Sequence, residues 1–112
     1  MAKYETTIQA DFNRFLAYLH EGILQGSISA SFEDGSDYQD DEYRLAVRVY
    51  ERYSMIGENR VSLSLSLAGK GDQVFLSAIT SGGSKAVLFK INTFGEEAFL
   101  DRLYTLVKNY HP

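Results

Sequence analysis

Apolar and serine side chains alternate without exception over residues 61–67, where a valine or leucine stands at every odd position and a serine at every even one. Successive side chains of a β-strand point to opposite faces, so this segment predicts a strand with one apolar and one small, hydroxylated face. A sheet built from such strands packs one face on a core and presents the other to water or to a partner. The pattern therefore predicts an antiparallel sheet with an open face.

Other segments with a period of two predict further strands. They are residues 3–8 as a short edge strand, 27–32, 43–53, 73–80 and 86–91. In 27–32 the apolar face consists of Ile28, Ala30 and Phe32. Between the strands, the acidic run 33–42 and the segments 57–59 and 80–85 are predicted as loops. Gly69-Lys70-Gly71-Asp72 is typical of a tight hairpin turn.

Two segments have apolar residues at helical spacing. The first helix is predicted over 12–24, with Asp11 as its N-cap and a left-handed stop at Gly22 or Gly26. The second is predicted over 95–110, after a capping box formed by Thr93 and Glu96. Their apolar stripes are Phe12, Phe15, Leu16, Leu19 and Ile23 in the first, and Phe99, Leu103, Leu106, Val107 and Tyr110 in the second.

The order of elements is strand, helix, a meander of strands and a final helix. It predicts one α+β domain over residues 1–112, a two-layer sandwich with an antiparallel sheet of five to six strands. Both helices should lie on one face of the sheet and bury their stripes against Val47, Val49, Leu63 and Leu65. The element order resembles the TATA-binding-protein-like and helix-grip architectures, a resemblance of fold that carries no function.

Composition narrows the class of protein. The 112 residues are 45% hydrophobic and 23% charged, as in a folded domain, and contain no cysteine, which fits a reducing cytoplasm. We expect no membrane contact, since no apolar stretch approaches the length of a membrane span. The net charge of −4 opposes nucleic-acid binding.

Three segments resemble a small family of unknown function, mainly from Gram-positive bacteria. They are 47–54 (VRVYERYS), 77–84 (SAITSGGS) and 90–97 (KINTFGEE), and the similarity extends over nearly the whole chain. The resemblance implies a bacterial single-domain protein. It assigns no role to any residue, because the family has no assigned activity.

Motifs that would indicate a reaction or a cofactor are weak. The acidic run 33–42 lacks the glycine and glutamate spacing of an EF-hand, so we predict no metal site there. The glycine-rich segment 81–85 is followed by apolar residues that predict a strand rather than the helix of a phosphate loop. His20 and His111 are isolated, and His20 is expected to complement the dipole at the end of the first helix. We therefore predict no cofactor.

The strongest functional indication is the predicted outward face of the sheet. Residues 74–79 are apolar on both parities, which predicts a strand covered on both faces, although two helices cover only one. Glu51 has the same parity as the predicted core residues Val47 and Val49, and an unpaired carboxylate is unfavourable in a core. We therefore expect that a bulge shifts Glu51, that the strand has already left the core there, or that Glu51 pairs with an arginine. The candidate interface or ligand residues are Arg44, Arg48, Tyr50, Arg52, Ser62, Ser64, Ser66, Phe75 and Ile79.

Three function classes remain open. We favour a non-enzymatic binding module that forms a homodimer through the open face. The first alternative is a carrier of a small apolar or anionic ligand, held between the sheet and the C-terminal helix. The second is an enzyme of unknown class, which we do not favour because no combination of a nucleophile with a base, or of metal ligands, stands out in the sequence. If the arginines are simply solvated and their strand central, the face carries no function.

Overall fold

The computed structural model describes residues 1–54, 59–82 and 89–112. Five antiparallel strands form one sheet in the order β1-β5-β4-β3-β2, and two helices accompany it. The elements are β1 (Ala2–Gln9), α1 (Phe12–Gln25), β2 (Ser31–Gln39), β3 (Tyr43–Ser54), β4 (Asn59–Lys70), β5 (Gln73–Gly82) and α2 (Phe89–Lys108). The predicted α+β class and antiparallel sheet are confirmed.

Helix α1 forms where its cap and apolar stripe predict it. The side chain of Asp11 accepts a hydrogen bond from the backbone N–H of Arg14 at 3.0 Å, and all five stripe residues are buried. The predicted left-handed stop is wrong, because Gly26 is right-handed (φ −73°, ψ −14°). Gly22 instead allows close helix packing, since a Cβ there would lie 2.4 Å from Leu106 of α2.

Both helices pack on the face of the sheet that carries the apolar residues of β4. Val61, Leu63, Leu65 and Leu67 are almost completely buried, whereas the intervening serines are not. The predicted alternation of β4 is therefore confirmed. The turn into β5 is also where it was predicted, with Gly71 at φ +60°, a conformation that glycine adopts without strain.

The acidic run is a strand and not the predicted loop. β2 pairs with β3 from Ser31 to Gln39, with an irregularity in the register between Phe32 and Asp34. Conversely, the predicted strand before it is wrong over 27–30, which form a turn with Ile28 fully exposed. Periodicity misses β2 because this edge strand is stabilised by backbone pairing while nearly all its side chains remain in water.

Helix α2 begins earlier than predicted. Residues 89–91 were predicted as the end of a strand but belong to α2, and residues 86–88 lie outside the described part of the chain. Thr93 and Glu96 therefore lie inside the helix, so the predicted capping box is wrong. A short apolar run does not distinguish a buried strand from a helix, which explains the error.

The face assignment of β3 is the largest correction. Ala46 and Tyr50 are buried in the core, whereas Leu45 is 41% exposed, so the predicted core residues Val47 and Val49 lie on the open face with Leu45. The residues of opposite parity face the helices. Arginine side chains are accommodated on this face because Arg48 hydrogen-bonds within the sheet and the guanidinium groups of Arg44 and Arg52 lie over aromatic rings of the helices.

Candidate functional site

The structure divides the predicted site residues between two opposite faces. The open face carries the five from β4 and β5, which are Ser62, Ser64, Ser66, Phe75 and Ile79. The helix-covered face carries the four from β3, which are Arg44, Arg48, Tyr50 and Arg52. The expectation that arginines and serines share one surface is therefore wrong. Two separate candidate sites replace it.

On the open face, a row of small side chains lies between two rows of larger apolar ones. The serine valley is formed by Ser62, Ser64 and Ser66 of β4 with Ala68 at its end. The β5 ridge is formed by Phe75 and Ile79, which are 42% and 39% exposed. The β3 ridge is formed by Leu45, Val47 and Val49.

The register places large residues directly beside small ones. Ala68 lies between Phe75 and Leu45, and Ser64 lies between Ile79 and Val49. The surface is thus corrugated, with grooves as wide as one strand.

Hydroxyl groups of the open face form hydrogen bonds within the sheet. Ser62 Oγ lies 3.0 Å from Ser81 Oγ and donates to the Ser81 carbonyl at 3.2 Å, while Ser77 donates to Glu5 at 2.9 Å. Their hydrogen-bonding capacity is partly satisfied before any partner arrives. This lowers the cost of covering them with an apolar surface.

Charges lie at the margin of the open face. At one corner, Glu51 pairs with Arg60 at 2.8 Å, which resolves how a carboxylate shares the parity of Val47 and Val49. Of the three predicted explanations, the arginine partner applies. The strand does not leave the core early, since Tyr50 is buried and Arg52 lies over Phe99; the reversed face of β3 places Glu51 outside the core. At the opposite edge, Lys3 and Glu5 project from β1 next to Ile79 and Ser77. The open face therefore carries a central row of serines between two apolar ridges, and its rim is charged.

The second candidate site is a trough on the helix side. A cavity of about 580 Å³ opens between α1 and β2, because β2 extends beyond the helix layer. Its lining residues are Asn13, Leu16, Ala17 and His20 of α1, Phe32, Asp34, Gly35 and Asp37 of β2, and Arg48 of β3. This trough lies beside α1, whereas the predicted ligand pocket was placed beside the C-terminal helix.

Arg48 forms the floor of the trough and is largely buried by its neighbours. Its guanidinium donates to the carbonyls of Val47 at 2.9 Å and Ser36 at 3.3 Å, and to Asp37 at 3.0 Å. Gly35 makes room for this side chain, since a Cβ there would lie 2.9 Å from Arg48 Cδ. Arg48 thus attaches the edge strand to the sheet, and its charge is matched by Asp37.

The other two arginines of β3 stack on aromatic rings of the helices. The guanidinium of Arg44 lies 4.7 Å from the ring centre of Phe12, and that of Arg52 lies 4.9 Å from Phe99. Burial lowers the pKa of Arg52 from its ordinary value. These two residues hold helices on the sheet.

At one end of the trough, His20 and Tyr50 form a pair that the sequence did not reveal. The hydroxyl of Tyr50 lies 2.7 Å from His20 Nδ1, and Phe32 packs against both rings with centroids 5.4 and 5.8 Å away. Burial raises the pKa of Tyr50 to about 12, although nearby Arg48 opposes the shift, so the phenol stays protonated. The sequence contains no local signal for a pair separated by 30 positions.

The acidic residues of the β2–β3 hairpin have a structural role at the turn. The carboxylate of Asp40 accepts hydrogen bonds from the backbone N–H groups of Glu42 and Tyr43, both at 2.8 Å, which lowers its pKa. Across residues 1–54, 59–82 and 89–112, no group of three or more His, Cys, Asp or Glu residues is arranged to hold a metal ion. In the same ranges no helix is long and apolar enough to cross a membrane.

The fold and its two candidate sites define a small two-layer α+β protein with one uncovered sheet face. The chain belongs to a family of unknown function, DUF6054, whose profile matches residues 1–111. The predicted resemblance to a family of unknown function is thus confirmed, whereas the bacterial origin and the TATA-binding-protein-like relationship stay predictions. No curated protein matches the sequence.

Two solved structures are similar to this chain. One is the hypothetical protein jhp0584 from Helicobacter pylori, with 12% identity, a TM-score of 0.45 and coverage of 92% of this chain and 84% of that one. The other is TTHA0849 from Thermus thermophilus, with 11% identity, a TM-score of 0.39 and coverage of 95% of both chains. At these values neither structure contributes to the functional argument.

Proposed function

We propose that the protein is a non-enzymatic interaction module that forms a homodimer through its open sheet face. The observation that carries this proposal is the pair of apolar ridges on β3 and β5, where Leu45, Phe75 and Ile79 are 41%, 42% and 39% exposed and no helix covers them. Apolar surface in water costs about 25 cal/mol per Å², so burying it against a second copy is favourable. The cytoplasm remains its expected location, because the chain has no cysteine.

The size of the face suits a dimer. Four strands, β1, β5, β4 and β3, would face the second copy; at about 4.8 Å per strand and ten residues of β4 that rise about 3.4 Å each, they give a surface of roughly 600 Å². Two copies would then bury roughly 1,200 Å², the lower end of the range for stable protein interfaces. A second copy is the simplest occupant, since a twofold axis requires only one self-complementary surface.

The corrugation favours one arrangement of the two copies. A twofold axis parallel to the strands, between β4 and β5, would place β5 of each copy over β4 of the other. Because such an axis preserves position along the strands, Phe75 would lie over Ala68 and Ile79 over Ser64 of the second copy. Large side chains would fill the serine valley, as in sheets that pack face to face about 10 Å apart.

The charges at the rim suit the same arrangement. With the axis between β4 and β5, β1 of one copy lies over β3 of the other. Lys3 would then lie over the row of Val49, one pleat away from Glu51 of the second copy. Opposite charges at a rim fix orientation more than they add affinity, so this pair would select the axis and not drive association.

Cysteine cross-linking tests the arrangement, because the chain has no cysteine of its own. Two single-cysteine proteins, Ile79→Cys and Ser64→Cys, are mixed and treated with a short bismaleimide cross-linker, because sheets about 10 Å apart hold their Cα atoms too far apart for a disulfide. We expect the mixed cross-linked product to form faster than the product of either variant with itself, since the axis brings position 79 of one copy over position 64 of the other. The matched control is Ile28→Cys, an exposed isoleucine in the turn before β2, mixed with Ser64→Cys.

Equal cross-linking of the control pair would contradict the proposal. A second variant separates association from folding. Ile79→Asp should abolish the dimer while the circular dichroism spectrum stays that of the unmodified protein, and Ile28→Asp should leave the dimer intact. A dimer that survives Ile79→Asp would exclude the open face as the interface.

A further inference from the structure

The outer edge of β2 is a strand edge that no other described element pairs with. In the sheet order β1-β5-β4-β3-β2, β2 pairs with β3 on one side, and nearly all its residues from Ser31 to Gln39 are exposed. Every second residue of an edge strand directs its backbone N–H and C=O groups away from the sheet. The pairing with β3 is regular from Asp34 to Gln39, so these six residues form a template for a further strand.

The charge of β2 decides which strand is complementary to it. β2 contains Glu33, Asp34 and Asp37 and no basic residue. Two of these carboxylates have an arginine partner, Arg48 for Asp37 and, at 3.9 Å, Arg60 for Glu33. No ion pair to Asp34 occurs in the described part of the chain. Like charges directly opposite each other destabilise a pair of strands, so this edge disfavours a second copy of β2 and favours a strand with lysine or arginine.

The two sides of β2 offer different contacts to such a strand. Asp34 lies on the open-face side, because the register pairs it with Val49. On the helix side, Phe32 is 45% exposed and Gly35 leaves a gap in the row of side chains, beside the trough that α1 borders. The side chains of an added strand alternate in the same way. Those on the helix side can therefore reach over Gly35 into the trough, while those of opposite parity lie near Asp34.

We propose that the outer edge of β2 binds an extended basic segment of a partner protein, which adds a strand to the sheet. Lysine or arginine side chains of the segment lie beside Asp34, and the intervening apolar side chains lie in the trough against Phe32 and Ala17. Backbone hydrogen bonds provide the affinity in this mode of recognition, and alternate side chains provide the specificity. The proposal is independent of the homodimer, because β1, β5, β4 and β3 would face the second copy and β2 would lie outside that interface.

Three capped hexapeptides separate strand pairing from attraction between charges. The first alternates lysine and valine, the second replaces each valine by D-valine, and the third replaces each lysine by glutamate. Each is titrated into isotopically labelled protein while amide shifts and amide hydrogen exchange are recorded by NMR. We expect the first peptide to shift the amides of 31–39 and to slow exchange at alternate residues of 34–39. The D-valine peptide has the same charge but cannot place its lysines and valines on opposite faces of a strand, so it should slow no exchange. The glutamate peptide should not bind.

Variants of the protein locate the interaction. Asp34→Asn should weaken binding of the lysine–valine peptide about threefold, within the range of one exposed ion pair, whereas Asp101→Asn, the same charge change on α2, should have no effect. Ile79→Asp should bind the peptide as the unmodified protein does, so the result does not depend on the dimer. The proposal is overturned if the glutamate peptide binds as tightly, if the D-valine peptide slows exchange equally, if Asp34→Asn leaves the affinity unchanged, or if exchange at 34–39 is not slowed by the lysine–valine peptide.

Discussion

The buried hydroxyl of Tyr50 provides the sharpest test of the reversed face of β3. Tyr50→Phe removes the hydrogen bond of 2.7 Å to His20 Nδ1 and changes little in shape. A hydrogen bond of this kind contributes about 1 kcal/mol to stability, and a histidine nitrogen left without a partner adds about 1 kcal/mol more. We therefore expect Tyr50→Phe to lower the free energy of unfolding by about 1–2 kcal/mol at pH 8, measured by urea denaturation.

At high pH the same substitution has the opposite effect on the free energy of unfolding, and stabilises the protein relative to the unmodified chain. The pKa of Tyr50 is about 12 in the folded protein and about 10 in an unfolded chain, so the folded state holds the proton more tightly. The resulting stability is fully present below pH 10 and is lost as the pH rises towards 12. The loss reaches about 2 kcal/mol at pH 12, and Tyr50→Phe escapes it because phenylalanine does not ionise.

The two effects predict that the stability curves cross. The unmodified protein should be more stable than Tyr50→Phe at pH 8 and less stable near pH 12. Tyr53→Phe is the matched control, since it removes an exposed hydroxyl from the same strand. A difference between the unmodified protein and Tyr50→Phe that stays constant from pH 8 to pH 12 would refute the burial of Tyr50 beneath α1.

Two further stability predictions concern packing. Leu65→Ala should cost about 2–5 kcal/mol, because Leu65 is fully buried, whereas Ser64→Ala on the open face should change stability by less than about 0.5 kcal/mol; equal losses in urea melts would contradict the assignment of faces. Gly22→Ala should lower the melting temperature despite the better helix propensity of alanine, because its Cβ would meet Leu106 of α2. A higher melting temperature would mean that the two helices do not touch there.

The parts of the fold that the sequence predicts are those with an unambiguous period. Strand β4 alternates without exception, and α1 has both a cap and a continuous apolar stripe. In β3 the predicted face is wrong because alternation defines two faces without saying which is covered. The choice there is made by Tyr50, which is buried, and by arginines that pack on Phe12 and Phe99.

The two candidate sites also differ in how far the periodicity of the sequence predicts them. Because β5 is apolar on both parities it was predicted to be covered on both faces, and the structure instead leaves Phe75 and Ile79 42% and 39% exposed on the open face. The trough was not predicted, because it depends on β2 extending beyond the helix layer and on a contact between His20 and Tyr50 that links α1 to β3. Long-range contacts of this kind leave no periodic signal in the sequence.

Sedimentation velocity of the unmodified protein tests the central claim most directly. At high micromolar concentration we expect one main species with twice the chain mass of 12.6 kDa, which dissociates on dilution. The species should be retained in Ile28→Asp and lost in Ile79→Asp. A species of 12.6 kDa at every concentration of the unmodified protein would contradict self-association through the open face.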